Sequence, residues 1–206
     1  AQTQLDSSLV GILNSLVPLF TLLLGIYFFK SRPSKINIAG VLLGLFGAVF
    51  LTLFSMEEGV KVNNYMLLVV LATVMYAISI NVIKKYLQNI DALSITALAF
   101  LIIGPLSTYY IFNTDFLILA KTDRGIEALM YITLLAVVGT SSAVVIFNKL
   151  ISKSSAIFAS SVTYLIPIVA IFWGLVDGEE ITIHHILGVS IILSGVYLVN
   201  KKSINK

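Results

Sequence analysis

A chain of 206 residues that is 58% hydrophobic and 11% charged cannot clothe itself in a water-soluble surface, where about a quarter of residues would carry charge. Its net charge of +3 comes from basic residues held in short stretches between apolar runs, a pattern that excludes a nucleic-acid partner. Cysteine is absent, which excludes disulfides and thiolate metal sites.

Charge-free runs follow one another along the chain at 7–29, 36–56, 62–83, 92–114, 128–148, 154–176 and 181–200, each 20 to 23 residues long. A helix needs about 20 apolar residues to cross a hydrocarbon core of ~30 Å. Backbone polar groups in lipid must be satisfied internally, so each run predicts a transmembrane helix. The runs are twice too long for the strands of a membrane barrel, and they do not alternate. The fold class is therefore all-α, a polytopic membrane protein with seven transmembrane helices and the lipid bilayer as its first partner. The first residue is Ala, and no basic region precedes an apolar core. No signal peptide is expected, therefore, and a cut or incomplete N-terminus is.

Orientation comes from the loops. One side of the membrane receives Lys30, Arg32 and Lys35, then Lys84 and Lys85, then Lys149 and Lys153, then Lys201, Lys202 and Lys206. The other side receives only Lys61, Lys121 and Arg124. The richer side is cytoplasmic by the positive-inside rule, which places the N-terminus outside and the basic tail 201–206 in the cytoplasm of a cell whose plasma (inner) membrane holds the protein.

The stretch 160–195 repeats a pattern met at 11–47. Pro167, Leu165 and Gly174 answer Pro18, Leu16 and Gly25 at an offset of 149 residues. After one residue drops out, Gly188, Val189, Leu193 and Gly195 answer Gly40, Val41, Leu45 and Gly47 at an offset of 148. Span six thus echoes span one, and span seven echoes span two. A shift of five spans reverses direction across the membrane, so the two copies are inverted repeats of a five-helix unit. The division that follows is 1–56 for the last two helices of a first repeat, 62–200 for a complete second repeat, and 201–206 for the tail. Three N-terminal helices of the first repeat are expected to be missing.

The run Gly139-Thr140-Ser141-Ser142-Ala143, then Ser155-Ala156, Pro167, Gly178-Glu179-Glu180-Ile181-Thr182, Gly188 and Gly195, resembles the C-terminal half of EamA-type transporters of the drug/metabolite transporter superfamily. The resemblance implies a ten-helix (5+5) inverted-repeat bundle around a central substrate cavity. It also gives Glu179 a structural or gating role, and it places Tyr76 where the family often has a cavity aromatic. In the first copy Phe29-Lys30 stands where the family usually has Gly-Glu.

Chemistry-bearing residues are sparse. No Asp, Glu, Lys or Arg lies inside a run, so no proton-relay carboxylate is expected within these spans. Nothing forms a nucleophile–base pair, a phosphate loop or metal-ligand spacing, so neither enzyme activity nor a cofactor is expected. His184 and His185 differ by about 100° around a helix and read as an interfacial pair. Pro18, Pro105 and Pro167 fall mid-run, where each removes a backbone donor and kinks its helix. The carbonyls they free belong to Asn14, Leu101 and Thr163. Asn14 and Thr163 are equivalent in the two copies and carry polar side chains, which makes the pair a candidate cavity lining. Tyr76 with Ser79, Ser141, Ser160 and Tyr164 complete the candidate substrate contacts, although small hydroxyl residues in membranes also serve close helix packing. Gly40, Gly44 and Gly47, with Gly188 and Gly195, form helix-packing faces that join the terminal helices of the two repeats or mediate a homodimer. The expected function is a secondary transporter that exports a small organic solute by alternating access. The rival classes are a seven-helix receptor or sensor and an inactive fragment.

Overall fold

A computed structural model of the chain describes residues 7–54, 65–114, 116–176, 178 and 182–201. Every regular element among them is helical. Seven segments are long and apolar enough to cross a membrane: Leu9–Tyr27, Lys35–Phe54, Tyr65–Tyr86, Ala92–Phe112, Arg124–Lys153, Ala156–Val176 and Ile183–Asn200. The protein is thus all-α and fits a polytopic membrane protein. The fifth segment is longer than its charge-free run, because the helix continues past Glu127 at one end and past Lys149 at the other. Asp177, Glu179, Glu180, Ile181, the loop with Lys61 and the tail beyond Lys201 lie outside the described residues.

The chain divides into two compact units, Ala1–Lys85 with Ser154–Lys206, and Tyr86–Lys153. The first unit holds spans one, two, three, six and seven. At its centre, helix α3 (Lys35–Phe54) packs along α11 (Ile183–Asn200). Glycine permits the approach. A methyl group placed on Gly195 would lie 2.5 Å from the Gly44 nitrogen and 2.8 Å from the Gly40 carbonyl oxygen. One on Gly40 would meet the Val199 nitrogen at 2.7 Å, one on Gly47 the Ile192 nitrogen at 2.9 Å, and one on Gly188 the Leu51 Cβ at 2.9 Å. Lipid tails are as apolar as leucine, so burial alone does not hold such helices together; close dispersion contact does.

These contacts carry two consequences. Numbers rise along α3 while their partners fall along α11, so the helices run antiparallel. A shift of 148 residues also turns the Gly40–Val199 contact into Gly188–Leu51, and Gly44–Gly195 into Ile192–Gly47. The interface maps onto itself, as contacts across a pseudo-two-fold axis do.

Spans one and six are both interrupted. Span one is α1 (Ser7–Asn14) and α2 (Val17–Tyr27), parted at Ser15 and Leu16. Span six is α9 (Ala156–Ser161), a 3₁₀ turn at Val162–Leu165, and α10 (Ile166–Val176). The interruptions coincide at the 149-residue offset, and Pro18 and Pro167 follow each break at the same distance. Short connections join each broken span to α3 or α11, so spans one and six also run in opposite directions. Beyond α2, Lys30 takes a left-handed backbone with φ of 55°, and Gly178 does so beyond α10 with φ of 92°. The structural counterpart of Gly178 is therefore Lys30, and the residue lost between the copies lies between Gly174 and Gly178.

Span three is α4 (Tyr65–Tyr86). Leu9, Val10 and Leu13 of α1 cluster with its Val69, and Lys85 Nζ donates to the Phe29 carbonyl at 3.0 Å. Both contact points advance together, so α4 runs parallel to span one. Asn37 Nδ2 donates to the Val199 carbonyl at 2.6 Å, which brings the end of α11 to the start of α3. The Lys30–Lys35 turn, Lys84, Lys85 and Lys201 therefore share one end of the unit. A cation at a helix C-terminus also offsets the partial negative charge there, as Lys85 does for α2.

The second unit holds α5 (Ala92–Phe112), a short α6 (Phe116–Leu119), α7 (Asp123–Leu134), a π-helical segment (Leu135–Ser142) and α8 (Ala143–Lys153). Asp91 caps α5 by accepting from the Leu93 N–H at 3.0 Å. The helix continues unbroken through Pro105, so Pro105, unlike the other two mid-span prolines, stands inside a single helix. Asn148 Nδ2 donates to Thr96 Oγ1 at 2.9 Å, and both side chains are buried between α5 and α8. Ile102, Ile103, Leu106, Val137 and Val138 are exposed, which lipid tolerates and water would not.

Candidate functional site

The two interrupted spans hold most of the polar side chains on which a solute site could be built. Asn14 ends α1 at the break in span one. It is half-buried, and no described residue hydrogen-bonds its amide. A primary amide carries two donors and an acceptor, so this one retains its full capacity for a polar ligand.

Its counterpart is placed differently. Thr163 Oγ1 donates to the Ser160 carbonyl at 2.9 Å, and the Thr163 carbonyl accepts from the Ile166 N–H. The carbonyl expected to be freed by Pro167 is thus taken by the 3₁₀ turn, whose tighter winding brings the residue before the proline within reach. Ser160 is fully buried and donates to the Ile157 carbonyl at 2.9 Å. Tyr164 is 0% exposed. Its hydroxyl donates to the Val41 carbonyl at 2.9 Å, and its ring lies in the groove left by Gly44. Tyr164 and Ser160 are packing residues in this arrangement and line no open space.

On α4, Tyr76 and Ser79 share the exposed face, Tyr76 at 41%. The adjoining face buries Thr73, Ala77, Ile80 and Asn81. Asn81 Nδ2 donates to the Thr21 carbonyl at 3.1 Å and to the Ala77 carbonyl at 3.0 Å, and so ties span three to span one. Gly25 makes room for it, since a methyl group there would lie 3.1 Å from Asn81 Oδ1. Asn81 is a contact between spans that the sequence analysis did not single out; its spacing from Ala77 and Thr73 on one face was the available sign.

Ser141 belongs to the second unit. Its Oγ donates to the Ala136 carbonyl at 2.9 Å, and Ser142 Oγ to the Val137 carbonyl at 2.9 Å, five residues back in each case. These hydroxyls supplement the widened π turn. The same unit has a wholly apolar hollow lined by Phe116, Ala120, Gly125, Ala128, Leu129 and Ile132, which takes in none of the candidate residues. His184 stacks on Phe54 with ring centres 4.4 Å apart, while His185 Nδ1 accepts from the Thr182 N–H at 3.2 Å as part of the cap of α11. No group of three or more His, Cys, Asp or Glu among the described residues could hold a metal ion.

Seven membrane-length helices, two of them broken at matching places, and a self-mapping glycine interface define a helical membrane protein with a polar break inside an otherwise apolar span. The chain belongs to the EamA-like transporter family, whose model matches residues 1–53 and 63–201. It is similar to an uncharacterized transporter of Archaeoglobus fulgidus, with 23% identity over 203 residues that cover 98% of this chain and 70% of that protein. No solved structure matches.

Proposed function

We propose that the protein is a secondary carrier that exports a small organic solute by alternating access, working as one part of a ten-helix inverted-repeat bundle in the plasma (inner) membrane with its C-terminus in the cytoplasm. The observation that supports this most is the correspondence of the two broken spans, one of which presents beside its break the Asn14 amide, to which no described residue hydrogen-bonds. Inverted-repeat carriers place solutes near the bilayer midplane, where helices are discontinuous, and move by rocking one repeat against the other. Asn14 supplies polar contact, and Tyr76 and Ser79 offer an aromatic ring and a hydroxyl on the exposed face of α4. The absence of Asp, Glu, Lys or Arg from the charge-free runs favours neutral, zwitterionic or amphipathic solutes over phosphates. No bond is made or broken; the work is binding and reorientation. The glycine face between α3 and α11 is already filled, so a homodimer would use another surface.

The test compares the solutes released by cells that express the complete gene with those released by cells that express Asn14→Leu, by mass spectrometry of the medium and with folded protein measured in parallel. At least one small organic solute is expected to leave faster with the parent, and its export per folded molecule to fall in the variant. A medium that is the same with and without the protein overturns the reading. Loss of yield without loss of export per molecule removes Asn14 from the site.

A further inference from the structure

We propose that Tyr164 is a positioning residue that locks the break of span six onto span two and leaves the matching break of span one as the hinge of the transport movement; this rests on the alternating-access reading above. The argument is an asymmetry inside a repeated frame. In span six the break carries Tyr164, whose ring meets Gly44 so closely that a methyl group there would lie 2.6 Å from both Cδ2 and Cε2. The hydroxyl reaches across to the Val41 carbonyl on the same helix at 2.9 Å. Span six is thus held to α3 by a ring in a groove and by a hydrogen bond, within a cluster of Ala48, Leu51 and Ile192.

Span one has neither part of the lock. The counterpart of Tyr164 at the 149-residue offset is Ser15, whose Oγ turns back to the Ile12 carbonyl of its own helix at 2.6 Å. The counterpart of Gly44 at the 148-residue offset is Ile192, a buried branched side chain that leaves no glycine groove for a ring. Each break departs from regular α-helical winding, although the Ser15 N–H still reaches the Gly11 carbonyl at 3.0 Å; Leu16 packs beside the α1–α4 cluster, but among the described residues only the span-six break is pinned to a neighbouring helix by a side-chain hydrogen bond. Opening free energies within a protein follow such local bracing. The segment after the span-one break is held by Asn81, and the segment before it packs on α4 through Leu9, Val10 and Leu13. The two halves of span one are therefore fastened separately, and the Ser15–Leu16 turn between them, packed beside the α1–α4 cluster with Ser15 buried but hydrogen-bonded only within its own span, is where a change of backbone angle would fall. Hinges of this kind are a few residues at element ends.

Hydrogen exchange read by mass spectrometry on the complete protein in lipid nanodiscs tests this. Amides at 162–166 are expected to exchange more than about tenfold slower than those at 14–17. Tyr164→Phe should speed exchange at 162–166 and leave 14–17 unchanged, while Ser15→Ala should alter neither. The graft Ser15→Tyr with Ile192→Gly should slow exchange at 14–17 and lower turnover of exported solute at an unchanged KM. Should the graft fail to fold, the Tyr164→Phe comparison decides alone. Equal exchange at the two breaks, or no response of 162–166 to Tyr164→Phe, overturns the proposal. If the exchange pattern holds and no variant moves any solute, the lock stands and the transport reading falls.

Discussion

Replacement of Gly195 by alanine tests the closest point of the structure. The added methyl would lie 2.5 Å from the Gly44 nitrogen, 2.7 Å from its Cα and 2.8 Å from the Gly40 carbonyl oxygen. All three are backbone atoms within helices, so no side chain can rotate away, and α3 and α11 must separate by about 1 Å to restore ordinary contact. Overpacking in a tight core costs about 1–3 kcal/mol, and a backbone-to-backbone clash belongs at the upper end. The separation would also loosen the Gly47–Ile192 and Gly188–Leu51 contacts along the same seam. Gly11 and Gly104 serve as controls, since a methyl group at either meets nothing within 4 Å and alanine favours a helix by roughly 0.5–1 kcal/mol. Denaturant titration in mixed micelles, followed by the single tryptophan Trp173 and by circular dichroism, should place Gly195→Ala about 3 kcal/mol below the parent and the controls at or above it. A Gly195→Ala protein as stable as the controls would refute the seam.

Three further outcomes follow from particular contacts. Asn81→Leu removes the bridge to the Thr21 carbonyl and should cost about 0.6–1.7 kcal/mol in the same assay, while Thr21→Val should cost less, because the Thr21 hydroxyl donates only to Val17 of its own helix. Deletion of Val138 should leave folded yield near that of the parent, since a π turn holds one residue more than an α turn, whereas deletion of Val49 turns half of α3 by about 100° and should abolish folding. Single cysteines at Ser34 and Lys153 should resist a membrane-impermeant thiol reagent in intact cells, and labelling of either from outside would contradict a cytoplasmic C-terminus.

The parts of the fold that were legible in the sequence are those imposed by solvent. A charge-free run of 20 residues reports hydrocarbon directly, and the seven spans follow from it. Gly40, Gly188 and Gly195 were legible because glycines recur at a fixed offset in two apolar helices, and their partners in α3 and α11 give that spacing atoms and distances. The polar side chains were harder. The hydroxyls of Thr163, Ser160 and Ser141, candidates for solute contact, each donate to a carbonyl of the same span, a local choice that residue spacing does not reveal. Tyr164 carries the same hydroxyl and ring whether it faces a cavity or a groove, and only the packing of Gly44 decides which. The π segment left no mark in the pattern, because a helix whose sides are all apolar has no face to fall out of register. Lys30 stands in a left-handed position that glycine would ordinarily hold, so its turn was hidden by the residue itself.

The claim that Asn14 borders a cavity open alternately to the two sides can be measured without knowing the solute, since none of the 206 residues is a cysteine and any cysteine elsewhere in the gene can be replaced by serine. Asn14→Cys in the protein expressed from its complete gene, in sealed right-side-out and inside-out vesicles, is exposed to a membrane-impermeant maleimide, with the buried Leu13→Cys as the unreactive reference. An alternating-access carrier predicts labelling of Asn14→Cys from each side. Labelling from one side only would indicate a fixed vestibule, as in a receptor, and labelling from neither would place Asn14 in the helix packing; either result contradicts the account.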